Sequence, residues 1–338
     1  MDVLDATGWT TGAPRIINSI GQRLYCTSAV RRMNEILIAA AARSKPDVVW
    51  IEKGSWIYPS TLRRLRDYAR FFVHYNTDDV FAPRNWFWLH RAGIRLYDLH
   101  LTTNRWNVLE IPKRYGVRVI RAGMGYDRDF HRPVSSDQQC LERSDVVFIG
   151  HWEPHTERYI SALRKAGVSV RVWGYNWRKA KDPLLRAVKP LPNEDYARTI
   201  STAKIALCFL SRWNRNESTG RSFNIPAIGT FLLAERTAEH EFFYRDGQDA
   251  ALFSDEKELV EKAKLYLEDG ELRQSIAKNG QARRHAMGMS ESDNISREWR
   301  LAVRILSSGV MSITQDDDFP FWTGFRLGLP WKKTVQGN

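Results

Sequence analysis

Short apolar runs recur along this chain at intervals that a helix fills. Val48–Ile51 is a run of bulky apolar residues, the pattern of a strand buried on both faces, and Phe71–Tyr75, Tyr97–Thr102 and Val117–Ala122 read as further strands. Helical segments separate them. Ser28–Arg43 carries Val30, Met33, Ile36, Leu37 and Ala40 at i, i+3, i+4 spacing, and Pro59 stands where a first helical turn tolerates proline. Strands alternating with helices of this length predict parallel βαβ units and an α/β fold.

The alternation resumes after a break. Gly123–Pro133 is rich in glycine and charge, and polar residues follow it through Ser144. Beyond it come strands at Asp145–Ile149, Val168–Trp173, Ile205–Leu210, Thr230–Ala234 and Ala250–Phe253, with helices at Asn193–Ala203, Lys257–Leu267, Glu271–Ala286 and Ile295–Leu306. Pro154 opens a further helix that Gly167 closes. The expectation is two facing Rossmann-like domains, residues 1–140 and 145–308, with an aromatic tail at 309–338. In the first domain Val3–Ala6 reads as a strand, yet no Gly-rich turn follows it. Gly8, Gly12 and Gly21 make no phosphate fingerprint, so either the domain begins upstream or it lacks its first βα unit.

Charge narrows the partners. The formal net charge is +12, and residues 1–144 carry 22 Lys/Arg against 14 Asp/Glu. Such a surface suits an anionic partner, but no run of five or six basic residues and no basic–aromatic motif points to nucleic acid. The three cysteines, Cys26, Cys140 and Cys208, have no metal-like spacing and fit a reducing compartment. No apolar stretch approaches the ~20 residues that span a bilayer. These features predict a cytoplasmic protein, with peripheral contact at the inner membrane surface left open.

The stretch Cys208–Glu235 is the candidate for chemistry. An apolar strand stops at a loop bearing Arg212, Asn214, Arg215, Asn216, Glu217, Thr219 and Arg221, and Ser222 starts a short helix. A helix N-terminus at the carboxyl end of a parallel strand favours anions, although an ordinary charged loop has the same spacing. In the first domain, His74, Asp78 and Asp79 stand at the end of Phe71–Tyr75. A carboxylate there can orient an acceptor hydroxyl or take its proton, and it can equally cap the next helix.

The run FIGHWEPHTERYISALRKAG, the segment VRVWGYNW and the long stretch from NRNESTGRSFNIPAIGTFLLAE to IAKNGQARR resemble the CgeB-type glycosyltransferase-like family, within the group 1 glycosyltransferases of the GT-B fold. The likeness covers about residues 145–290 and extends loosely into the first half through KPDVVWIEKG, YNTDDVF and YDLHLTTN. It implies a nucleotide-diphosphate-sugar donor held by the second domain, an acceptor of undetermined kind held by the first, retention of anomeric configuration, and neither metal nor other cofactor. By position it places Gly150, His151 and Arg158 near the diphosphate, and Gly174 with Val188–Tyr196 along the base. It puts Glu217 on the sugar, Thr219, Arg221 and the helix start at Ser222 on the phosphates, and Asn224 on the ribose. Asn224 stands where the family carries a glutamate, and an amide bonds a hydroxyl without charge and with shorter reach. The leading expectation is therefore a glycosyltransferase, and the alternative is a catalytically degenerate relative that binds sugar or serves a structural role at a surface. In the tail, Phe319, Phe321, Trp322 and Phe325 followed by Lys332 and Lys333 suit either an anionic membrane interface or packing against the first domain, the second being favoured.

Overall fold

The computed structural model describes residues 27–85, 87–134 and 144–308. The expected strand Val3–Ala6 and the tail 309–338 lie outside the described residues. The described chain falls into two compact units, residues 27–122 with 298–308, and Gly123–Arg297.

In the first unit, helix Ser28–Ser44 is capped by Thr27, whose hydroxyl accepts the Val30 N–H at 3.2 Å. Strands β1 (Val48–Glu52), β2 (Phe71–Asn76), β3 (Leu99–Thr102) and β4 (Val119–Arg121) form a parallel sheet in the order β1-β2-β3-β4. Val49, Ile51 and Phe72 pack with Leu62 and Leu65 on one face. Val73, Leu99, Leu101 and Ile120 pack on the other with Leu301, Ala302 and Ile305 of helix Glu291–Ser308. The sequence pattern assigned that whole helix to the second domain. Its last turns instead belong to the first unit, because their apolar face is buried on the first sheet.

The second unit carries β5 (Ser144–Ile149), β6 (Val170–Trp173), β7 (Ala203–Cys208), β8 (Phe231–Glu235) and β9 (Ala251–Phe253), parallel throughout in the order β6-β5-β7-β8-β9. Every strand expected in residues 145–253 is present, with bounds shifted by a few residues. Val146, Phe148, Ile205, Leu207, Phe231 and Leu233 form the centre of its core. The chain winds outward from β5 to β6 and then crosses back to β7. Between β5 and β7 the winding reverses, and the crevice beyond the carboxyl ends of those two strands is where such sheets take ligands.

Candidate functional site

Two glycines let backbone segments meet at this switch point. Gly174 follows β6 with φ +143, and a Cβ there would come 1.9 Å from the Gly150 carbonyl oxygen. Gly150 follows β5; its own Cβ would lie 2.6 Å from the Phe148 ring and 3.1 Å from Arg221 Nη1. Trp177, buried, donates its indole N–H to the Gly150 carbonyl at 2.9 Å, so the β5 and β6 ends are tied together.

Beyond β7, the polar loop is held from outside by carboxylates. Glu235 ends β8 and is buried; it accepts the Leu210 N–H at 2.6 Å and Arg212 Nη2 at 2.5 Å. Burial is the largest influence on that carboxyl and raises its pKa, against the pull of its partners. Glu153 accepts the Arg212 N–H at 3.1 Å, and His155 Nε2 donates to the Leu210 carbonyl at 2.8 Å. The Arg212 side chain is 61% exposed while one of its nitrogens is fixed to Glu235. Glu235 on one side and Glu153 with His155 on the other carry no local signal of this role, since they lie far apart in the chain and only the sheet brings them together.

Helix Gly220–Ile228 then begins at the crevice. Thr219 and Ser222 form a capping box, with the Thr219 N–H bonded to Ser222 Oγ at 3.0 Å. His240 donates from Nδ1 to the Glu235 carbonyl at 2.6 Å, and burial lowers its pKa to about 4. The ring is therefore neutral, and its bare Nε2 accepts the Ser222 hydroxyl at 2.7 Å. Both hydrogen-bonding directions of that hydroxyl are used inside the protein. Ser222 has no exposed surface, and its hydroxyl is spent on shaping the helix start.

Arg221 faces the crevice. Its Nη1 donates to the Ile149 carbonyl at 3.3 Å and its Nη2 to the Phe209 carbonyl at 2.7 Å, so one guanidinium bridges the ends of β5 and β7. Its Nε is buried without a partner, and so are Asn224 Oδ1 and Tyr196 Oη. Burial pushes the Tyr196 hydroxyl up to about 12, with Arg221 and Asn224 close enough to temper that shift, although neither makes a bond of ordinary geometry with it. Tyr196 lies in the first turn of helix Asn193–Ser201, which precedes β7 and therefore starts at the same sheet edge. A buried donor, a buried acceptor and a hydroxyl thus stand together at the switch point, the kind of unsatisfied set that a polar ligand satisfies.

Of the residues expected on the donor side, Gly150, Gly174, Thr219, Arg221 and Asn224 belong to this one locus, with Ser222 beneath it. Glu217 is half-buried in the same loop, and its carbonyl accepts the Thr237 hydroxyl at 2.6 Å. His151 is exposed, its ring 5.5 Å from that of Tyr175. Arg158 is 67% exposed and pairs with Glu256 at 3.1 Å, which makes it a surface ion pair of helix Pro154–Lys165. Among the described residues, no group of three or more His, Cys, Asp or Glu side chains is arranged to hold a metal ion.

In the first unit the two expected aspartates differ. Asp79 is fully buried and its carboxylate accepts the Phe81 N–H at 2.9 Å, a turn-forming role. Asp78 is 39% exposed and lies 3.3 Å from Lys53 Nζ. His74 is buried on β2 with two further histidines. His100 Nε2 donates to the Ile94 carbonyl at 2.9 Å, so its Nδ1 accepts His74 Nδ1–H at 2.9 Å. His74 Nε2 then accepts from His90 Nε2 at 3.3 Å, and it also lies 3.1 Å from the Lys53 carbonyl.

Parallel sheets in both units, with a ligand crevice at a reversal of winding, define a chain built from two Rossmann-like units, as in the GT-B fold. Comparison with known proteins agrees. Residues 153–288 match the family model described as "Glycosyl transferase-like", the span that holds the loop and helix just described. The fold is shared with sucrose-phosphate synthase from Thermosynechococcus elongatus, at TM-score 0.62 and 14% identity, over 88% of this chain and 82% of that one. HepE of Anabaena, solved with UDP and glucose, superposes at TM-score 0.61 and 14% identity, over 82% and 83% of the two chains. The α,α-trehalose 6-phosphate synthase of Burkholderia multivorans does so at 0.54 and 13%, over 83% and 76%. No curated protein sequence matches the chain.

Proposed function

We propose that this protein transfers a sugar from a nucleotide-diphosphate-sugar donor to an acceptor. The observation that carries the reading is the set at the β5–β7 switch point: Arg221 Nε, Asn224 Oδ1 and Tyr196 Oη, all buried and unpartnered, beside the N-terminus of helix Gly220–Ile228. In this reading the helix start and Arg221 stabilise charge as it develops on the leaving diphosphate, in a site already oriented for it. Asn224 takes a ribose hydroxyl and Glu217 the donor sugar. Asp78, the more exposed aspartate, serves the acceptor side. Support comes from the match over residues 153–288 and from structures of the same fold, one of them solved with UDP and glucose. Retention of configuration and independence from metal belong to this proposal and follow the family resemblance.

A panel of UDP-, GDP-, ADP- and dTDP-sugars in a thermal-shift assay tests it. A donor at a hundred times its Kd raises stability by about 2.7 kcal/mol. One base class is expected to stabilise the protein, and Arg221→Ala to remove that shift while the far-UV circular dichroism persists. Absence of a shift with every donor at millimolar concentration sinks the reading. A second reading, a relative that binds a nucleotide sugar without turning it over, is favoured by Asn224 in place of the family's glutamate. Donor binding with no product from any acceptor mixture would select it.

A further inference from the structure

The connection from β6 to helix Asn193–Ser201 is held rigidly underneath and left exposed on top. Trp177, Ala180 and Leu185 are buried in the core of the second unit. Buried Glu157 accepts the N–H groups of Lys181 and Asp182 at 2.6 and 2.9 Å and the Trp152 indole at 2.8 Å. Arg186 is turned inward onto the Ala180 and Lys181 carbonyls at 2.8 and 2.9 Å. Asp182, which caps helix Pro183–Arg186 through the Leu184 N–H, is also paired with Arg164 at 3.0 Å.

What this frame presents is basic and apolar together. Residues 171–192 contain six Lys/Arg and a single carboxylate, Asp182, which is already occupied. Arg178, Lys179, Lys181 and Lys189 are all exposed, and among the described residues none of their side chains has an ion-pair or hydrogen-bond partner. Beside them stand Leu184 at 69% exposure, against 3% for its neighbour Leu185, and Tyr175 at 59%. An isolated exposed leucine is ordinary, but an exposed leucine and tyrosine within one short segment that also carries four uncommitted cations are not.

We propose that this face, Tyr175 with Arg178, Lys179, Lys181, Leu184 and Lys189, docks the protein onto an anionic lipid surface. The cations meet the headgroup charge, Tyr175 sits at headgroup level, and Leu184 enters the acyl boundary. A polyanion such as RNA would use the same cations, but it gives Leu184 nothing to enter, so the protruding leucine selects lipid. Tyr175 and Lys189 border the donor locus, the Lys189 carbonyl accepting the Gly174 N–H at 3.0 Å, so the test rests on Lys179, Lys181 and Leu184, which the donor reading does not involve.

The test is co-sedimentation of the full chain with phosphatidylcholine vesicles containing about one third phosphatidylglycerol, against pure phosphatidylcholine. Binding is expected only to the anionic vesicles and should weaken with salt. Lys179→Gln with Lys181→Gln should reduce affinity roughly 25-fold, about fivefold for each lysine. Leu184→Ser should reduce it roughly tenfold with the salt dependence unchanged. These side chains are exposed and unpartnered, so the variants keep the fold, checked by their melting curves. The proposal is overturned if the wild type ignores anionic vesicles, if both variants bind them as the wild type does, or if an RNA oligonucleotide binds more tightly and Leu184→Ser leaves that binding unchanged.

Discussion

Acid should loosen the first unit well before ordinary acid unfolding, because its sheet encloses three histidines without charge. Burial lowers His74 from 6.5 to about 4 and His100 from 6.5 to about 3, and lowers His90 in the same direction. The unfolded chain therefore binds more protons than the folded one between roughly pH 6.5 and 4, and stability falls as pH falls through that window. At about pH 5 each of His74 and His100 costs ~2 kcal/mol relative to pH 7.5, or ~4 kcal/mol together, with His90 adding to the loss. That is a large part of the 5–15 kcal/mol typical of a domain. In the second unit only His240 shifts as far among the histidines, and the raised Glu235 carboxyl works in the opposite direction. Hydrogen exchange read by mass spectrometry at several pH values, corrected for intrinsic rates, separates the two units. Peptides covering β2 and β3 should lose about 4 kcal/mol of protection between pH 7.5 and 5, and those covering β7 and β8 about 2 kcal/mol or less. Protection of β2 and β3 that stays flat over this range refutes the reasoning. Its structural meaning would be a proton already resident on His74, which would then donate to both Lys53 O and His100.

Further expectations rest on single contacts. Gly174→Ala should destabilise the second unit by roughly 3 kcal/mol or more, since the new Cβ meets the backbone oxygen of Gly150 at 1.9 Å and the φ is strained; urea melts of the variant check it. Glu157→Ala leaves two backbone N–H groups and an indole without their acceptor and should cost ~3 kcal/mol, with new proteolytic cuts between Trp177 and Arg186. Asn224→Glu should tighten binding of the nucleotide donor about tenfold if Asn224 sits on a ribose hydroxyl, through a charge-assisted bond near Arg221. Titration calorimetry with the base identified by thermal shift decides that, and unchanged or weaker binding removes Asn224 from the ribose.

What could be read in advance follows from how local each signal is. The strands from Val48 to Phe253 and the longer helices were legible because most are apolar runs or i, i+3, i+4 stripes, which neighbouring residues define by themselves, whereas short helices such as Ala238–Phe243 gave no such signal. Proline at 59 and 154 and glycine at 167 marked helix ends for equally local reasons. The loop Ser211–Arg221 was legible as a polar connection at the carboxyl edge of a parallel sheet, because it lies between a buried strand and a helix start. Thr219 and Arg221 stand at its end, and Asn224 follows in the first turns of helix Gly220–Ile228.

Other features depend on strand order and on which side chains meet across it, and neither is written in a local pattern. Arg158 and Arg221 look alike in sequence, yet one ends in a surface pair with Glu256 and the other bridges the carbonyls of β5 and β7. The Ser222 hydroxyl is taken by His240, from the helix after β8, a contact that no local pattern announces. The last turns of helix Glu291–Ser308 keep an amphipathic stripe whichever sheet they cover; Leu301, Ala302 and Ile305 show that it is the first. The sequence by itself determined the α/β class, the approximate placing of the strands and the polar loop after β7, through periodicity and turn residues that act within a few positions. Only the tertiary structure decided which charges are free, which are spent on the fold, and that a β6-β5-β7-β8-β9 order brings Tyr196, Arg221 and Asn224 to one point, because those are contacts between residues far apart in the chain.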